Sequence, residues 1–514
     1  MQFRAIDRRT LLKGAAAAAF TSSSLSRAYA APKKGGNLRI GMAGGNTTDS
    51  LDPATYIDSG MFLVGNTSKD SLVQVNSKNE VVPALAEKWE STTDAKRWVF
   101  TLRKGVTFHS GKSLTSEDVI ASINHHRGAD SKSSFADVVK PIEKIEADGA
   151  QNVVFTLKDG NADFAAIISS VYLSIMAANG DKVDATSKDG TGPYILEEFE
   201  PGVRTTFKRN PNYWNPDTGF VDTAEVLFVA DAAARMNALR TGRVDVINRV
   251  DVKTATLLGR VSGIKIEEAK GGQHYVFCMF VDAKPFDDVN VRTALKYAIK
   301  RQEMVDKILA GHGYVGNDHP IPVTNKYFAK DLLQREYDPD KAKFYLKKAG
   351  LTSLEVPLSV AEAGFAGATD AGVLYEASAK ECGITIKLTR EPNDGYFDNV
   401  WMKKPFTVDY WSGHNTADLQ FSYGYAAEAP YNETHWKNPR FNELLVAARV
   451  ETDEAKRSAM YQEMQLLVHD DGGSVIPMFA NHVWAKNDKV GHEADVGAEL
   501  EMDGLRCISR WWMA

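Results

Sequence analysis

The stretch Gly105 to Val119, Gly-Val-Thr-Phe-His-Ser-Gly-Lys-Ser-Leu-Thr-Ser-Glu-Asp-Val, comes within one residue of a nucleotide-binding loop. A phosphate cradle of that type needs four residues between its first glycine and its Gly-Lys-Ser, because the backbone amides must close around one phosphate. Here five intervene, Val106 to Ser110. The preceding Arg97 to Arg103 alternates polar and apolar, with Trp98, Phe100 and Leu102 on one face, which predicts a half-exposed strand and not the buried one such a loop follows. Beyond the loop, Thr115 as N-cap with Asp118 at the third helical position forms a variant capping box, opening a helix whose apolar face begins with Val119, Ile120 and Ile123.

A second stretch concentrates polar chemistry. Asp409-Tyr410-Trp411-Ser412-Gly413-His414-Asn415-Thr416-Ala417-Asp418 packs aromatic, amide, imidazole and carboxylate groups into ten residues after an apolar strand. That mixture suits the enclosure of a polar ligand; its alternative is a structural loop in which Trp411 plugs a core. Other conspicuous residues read more plainly. His109 and the adjacent His125 and His126 lack a third ligand at metal-binding spacing, and neighbouring helical residues diverge by about 100°. Asp470-Asp471 and Glu267-Glu268 read as exposed charges. No Gly-x-Ser-x-Gly or His-Glu-x-x-His occurs. No catalytic centre, metal site or cofactor is expected.

The elements that must position these groups alternate in type. Val-Phe-Thr-Leu recurs at Val99–Leu102 and Val154–Leu157, each an amphipathic strand, and with the helix after Thr115 they predict a small α/β subdomain over about residues 75–190. Apolar spacing predicts a helix over Asp288 to Gly311 and another over Asn438 to His469, with strands such as Ile384 to Leu388 and Val475 to Met478 between helices. The class is α/β, with a mixed sheet in each main lobe. Gly271-Gly272 and Gly472-Gly473, each just before an apolar strand, read either as ordinary turns or as passages between lobes.

Composition bounds the rest. The chain has 514 residues, 43% of them hydrophobic, enough for two or three folding units. Arg8-Arg9 followed by an alanine-rich apolar run and by Ala28-Tyr29-Ala30 predicts a twin-arginine signal peptide over 1–30, too short to anchor in a bilayer. Its removal lowers the net charge from −6 to −10, because Arg4, Arg8, Arg9, Lys13 and Arg27 leave with Asp7 alone. An acidic mature chain argues against nucleic acid or anionic membrane as a partner. Cys278, Cys382 and Cys507 form no CxxC, and none is expected to be functional.

Ordered blocks along most of the chain resemble a known family. These are Ser50-Leu51-Asp52-Pro53, Val82 to Trp89, Trp98 to Lys112, Gly190-Thr191-Gly192-Pro193-Tyr194, Arg209 to Trp214, Ala238 to Asp245 and Pro285 to Arg292. They resemble the large extracytoplasmic solute-binding proteins of ABC importers, family 5, whose members bind oligopeptides, dipeptides, glutathione or nickel. The resemblance implies a two-lobed periplasmic binding protein fold of type II with an extra peripheral subdomain in lobe 1. Lobe 1 is expected over 31–272 plus 480–514, with the subdomain at about 75–190, and lobe 2 over 273–479. It implies a monomeric periplasmic receptor that closes on a small polar solute, peptide-like, acylated or opine-like, and delivers it to an ABC permease. A secreted hydrolase acting on a similar solute is the rival reading. By correspondence with family positions after the Leu-Asp-Pro turn, lobe 1 should offer Tyr56, Asp58 and Ser59, and the polar segment of lobe 2 should offer Trp411, His414, Asn415 and Asp418. In peptide-binding relatives a similar Trp-x-x-Asp sets a carboxylate against a peptide ammonium. Here His414 stands in that place, which implies a ligand that is neutral, acylated or anionic near Trp411.

Overall fold

The computed structural model describes residues 32–128, 131–414 and 416–514. The expected signal peptide and Asn415 lie outside the described residues. One mixed sheet of eleven strands runs through the molecule, and two long strands at its centre, Ile264–Met279 and Ser474–Asn487, belong to both halves. They pair antiparallel from Ile264↔Asn487 to Cys278↔Ser474, and the register breaks between Lys270 and His274. On one side of that break Ser474–Asn487 pairs with Val246–Ile247 and leads to the strands Asn37–Met42 and Thr223–Phe228. On the other, Ile264–Met279 pairs with Phe406–Trp411 and leads to Leu354–Val360 and Ile384–Arg390.

Each half has its own core. Leu38, Ile40, Val226 and Trp484 pack with Met61, Val64 and Trp511 in the first; Phe277, Met279, Val356 and Val408 pack with Val291, Leu295 and Tyr375 in the second. The lobe boundaries expected at 272/273 and 479/480 fall inside the two shared strands, at the register break. Gly271-Gly272 lies within that break. Gly472-Gly473 does not, which corrects its reading as a passage: Gly472 caps the helix Glu454–Asp471, and Gly473 packs on the Met279 carbonyl deep in lobe 2.

The peripheral subdomain is a four-stranded antiparallel sheet with the helix Ser116–Asn124 on it. The two Val-Phe-Thr-Leu strands are partners, with Trp98↔Phe155, Val99↔Val154 and Phe100↔Val153 in register. Alternation holds as expected: Trp98, Phe100 and Leu102 are buried, and the Phe100 ring meets Phe155 and Phe164 at centroid distances of 5.6 and 6.2 Å. Thr115 is the N-cap and Asp118 completes the capping box. Lys112 ion-pairs with the Asp118 carboxylate, so the lysine of the near-miss loop is a structural partner of the helix start.

Two expected helices are each divided. Val289–Tyr297 and Arg301–Ile308 are separate, as are Pro439–Val450 and Glu454–Asp471. In the second case Glu451 and Asp453 are extended, and the Asp453 carboxylate accepts from the backbone amides of Ala455 and Lys456, ending one helix and starting the next. The three cysteines are buried thiols. No helix among the described residues is long and apolar enough to cross a membrane.

Candidate ligand cleft

A cavity of about 530 Å³ opens where the halves meet. Lobe 1 lines it with Val75 and Lys78 to Val81, with Asp163, Ala166 and Ser169, and with Ala498-Glu499. Lobe 2 contributes Pro322, Thr324 to Tyr327, and Ser412 to His414 with Thr416 and Ala417; Gly272 of the hinge lies between. Gly413 permits the close passage of the lobe 2 loop over the hinge: its φ is +88°, and a Cβ there would come within 3.0 Å of the Gly272 backbone.

His414 is the expected site residue that lines this cavity. Its ring lies 5.3 Å from that of Tyr423 and 6.2 Å from that of Trp411, and burial pushes its pKa below the ordinary histidine value, so the imidazole is neutral near pH 7. The other expected residues that the structure describes, Tyr56, Asp58, Ser59, Trp411 and Asp418, have structural tasks and are not among those that line the cavity. Tyr56 is buried in the lobe 1 core with its hydroxyl donating to the Leu51 carbonyl at 3.2 Å. Asp58 caps the helix Ser59–Ser68, accepting from the Met61 amide at 3.1 Å and from Gly45 at 3.1 Å. Ser59 accepts a hydrogen bond from Arg249 at 2.8 Å. Trp411 donates its indole N–H to Glu433 at 3.0 Å. Asp418 is buried against Arg449 at 3.1 Å, its carboxyl pushed up to about 6 by burial.

Asp409 is no anionic anchor either. It is buried beside Glu433, and burial with the neighbouring carboxylate pushes its carboxyl up to about 10. Protonated, it leaves Glu433 to accept from the indoles of Trp401 at 2.7 Å and Trp411 at 3.0 Å. The pair braces the aromatic wall behind His414. Of Asp470, Asp471, Glu267 and Glu268, expected as exposed charges, Asp470 and Glu268 are exposed and Asp471 and Glu267 are partly buried. Each has a partner: Asp471 with Arg292, Asp470 with His469, Glu267 with Lys486 and Glu268 with His312.

Sequence reasoning missed three features of the cleft. Asp163 of the peripheral subdomain reaches across to Arg457 of lobe 2, at 2.8 Å on one oxygen and 2.7 Å on the other. Beside it the Ala162 amide donates to the Arg449 carbonyl at 2.7 Å, a backbone bond between lobes. Glu499 lines the lobe 1 wall from the tail Glu493 to Glu501, where no site residue is expected from the sequence. Among the described residues no cluster of three or more histidines, cysteines or carboxylates could hold a metal ion.

The description "Bacterial extracellular solute-binding proteins, family 5 Middle" matches residues 80–433. The chain belongs to family 5 of these solute-binding proteins. Within the family it is similar to the dipeptide-binding protein of Escherichia coli, 27% identical over 471 residues covering 84% of this chain and 85% of that one. HbpA2 from Haemophilus parasuis shares the fold at a TM-score of 0.82 with 21% identity, over 93% of this chain and 100% of that chain. The binding protein AgaA of A. tumefaciens R10, solved with agropinic acid, does so at 0.71 with 23% identity, over 93% and 99%. The expected α/β two-lobed fold is that of the family. Family 5 members are binding proteins of transporters, and the hydrolase reading finds no support among them.

Proposed function

We propose that this chain is the extracytoplasmic receptor of an ABC importer, a non-catalytic monomer that encloses a small polar solute between its lobes and presents it to a membrane permease. The observation that carries the reading is the cavity of about 530 Å³ walled by both lobes and floored by the hinge, a size within the range of small-molecule sites. A solute that touches both walls favours the arrangement in which both are near, so binding shifts the lobes toward closure. The dipeptide-binding relative and the agropinic acid complex support a peptide-like or opine-like solute. Neutral His414 supports a ligand that is neutral, acylated or anionic on the lobe 2 side. The acidic mature chain supports the absence of a nucleic acid partner, and Arg8-Arg9 with Ala28-Tyr29-Ala30 supports export to the periplasm by the twin-arginine route.

Native mass spectrometry of protein purified from its own periplasm tests the central claim: a bound small solute is expected, together with a smaller scattering radius than that of the protein after the solute is removed. Dimensions that stay constant while solute saturates the protein refute closure. For export, Arg8→Lys with Arg9→Lys is expected to abolish periplasmic yield, and unchanged yield refutes the twin-arginine assignment.

A further inference from the structure

Among the described residues, the cleft contains one carboxylate that the protein's own bonds leave unused. Glu499 lines the lobe 1 wall, with its backbone set by the Ala498 amide donating to Asn79 at 3.1 Å and the Gly497 amide to Asp503 at 2.7 Å. Among the described residues no hydrogen bond or ion pair engages its side chain. Other charges of the cleft are committed. Asp163 is held by Arg457, Lys326 by Glu454 at 2.8 Å, and Glu80 accepts from Asn76 at 2.9 Å; Lys78 projects into solvent at the rim. The charges of Arg506 and Arg510 attract Glu499 without a hydrogen bond or close ion pair among the described residues, and Arg510 is occupied by Asp503 at 3.0 Å. Burial raises the Glu499 carboxyl above its ordinary value, so the group is partly desolvated while the residue stays partly exposed toward the cavity. A cleft-facing carboxylate in that condition gains more from a ligand cation than a hydrated one does.

On the opposite wall, neutral His414 offers one donor and one acceptor but no countercharge for an ammonium. We infer that Glu499 binds the positively charged end of the solute, so that a zwitterionic peptide-like ligand lies with its ammonium on lobe 1 and its neutral or anionic end toward His414. The inference rests on the receptor reading and adds a polarity to it: the charge that fixes the amino end comes from the C-terminal tail of lobe 1.

Calorimetry with Ala-Ala and N-acetyl-Ala-Ala as probes, on the wild type, Glu499→Gln and Glu499→Asp, tests it. Ala-Ala is expected to bind the wild type, with binding weakened about 10- to 100-fold by Glu499→Gln, the loss of one charge-assisted hydrogen bond. N-acetylation should cost a similar factor on the wild type and almost nothing on Glu499→Gln, and Glu499→Asp should retain part of the preference for the free amine. Equal binding of the two probes by the wild type, or indifference of Ala-Ala to Glu499→Gln, overturns the assignment. So does a co-purified solute that lacks any cationic group while Ala-Ala fails to bind, although the receptor reading then stands. A protein that carries no solute and binds neither probe counts against both.

Discussion

Cutting the buried ion pair between the lobes, by Arg457→Met, should change how they sit. Arg457 is 3% exposed and Asp163 7%. The guanidinium also donates to the Tyr327 hydroxyl at 2.9 Å and to the Ala448 carbonyl at 2.9 Å, so it is fixed in lobe 2 whether or not lobe 1 is near. Methionine keeps the apolar stem and removes every donor, leaving Asp163 buried and unpaired. Breaking a buried pair on one side costs about 3–5 kcal/mol, an equilibrium factor of roughly 100 to several thousand. Asp163 escapes most of that cost by returning to water, which requires the lobes to part. The variant should therefore populate a wider arrangement than the wild type. Spin labels at Lys88→Cys in the subdomain and Lys437→Cys in lobe 2, both exposed sites, would read the separation, and the three native thiols are buried and out of reach of the label. Adding Asp163→Leu should restore much of the original distance, because an apolar pair substitutes for a buried ion pair at little cost. An unchanged distance distribution in Arg457→Met, with the fold intact, refutes the argument.

Two further outcomes follow from groups buried within single lobes. Asp118 is fully buried and accepts from the Thr115 amide at 2.9 Å and the Ala178 amide at 2.7 Å besides pairing with Lys112, so Asp118→Ala should destabilise the subdomain by about 3 kcal/mol in denaturant melts; a loss under about 1 kcal/mol would contradict the capping account. His319 is buried with both ring nitrogens unpartnered beside His469 and Asp318, and burial pushes its pKa down to about 3. The unfolded chain binds its proton at about 6.5 and the folded one only near 3, so stability drains as pH falls through that window. His319→Leu should thus lose less stability than the wild type between pH 7 and 4.5, by about 3 kcal/mol, and parallel pH profiles would refute the assignment.

What could be read in the chain depended on how local the cause was. The Thr115–Asp118 box and the alternation of Trp98, Phe100 and Leu102 were legible because three or four consecutive residues contain the whole reason for them. That the two Val-Phe-Thr-Leu strands pair with each other was not, since register depends on what surrounds both. The division of the helix over Asn438 to His469 had a visible signal in Asp453, whose carboxylate suits an N-cap, but an unbroken apolar stripe outweighed it. At the site, His414 was legible from the density of polar groups around it. Tyr56 and Asp58 were placed there by correspondence, whereas the core and a helix terminus claim their side chains. Nothing local distinguishes Glu499 from Glu493 or Asp495 in the same acidic tail; only the fold sets it in the cavity wall.

The two strands that join the lobes are hydrogen-bonded to each other on both sides of Gly271-Gly272. They are one ribbon, not a pair of independent tethers. A ribbon resists shear and stretching through its ladder of bonds and yields most easily by twisting where the ladder is interrupted, between Lys270 and His274. A joint of this build favours twisting of the lobes about the ribbon over sliding or separation. Walls joined by such a ribbon would meet along one arc, so that a side chain on one wall would face the same opposite residues at each approach.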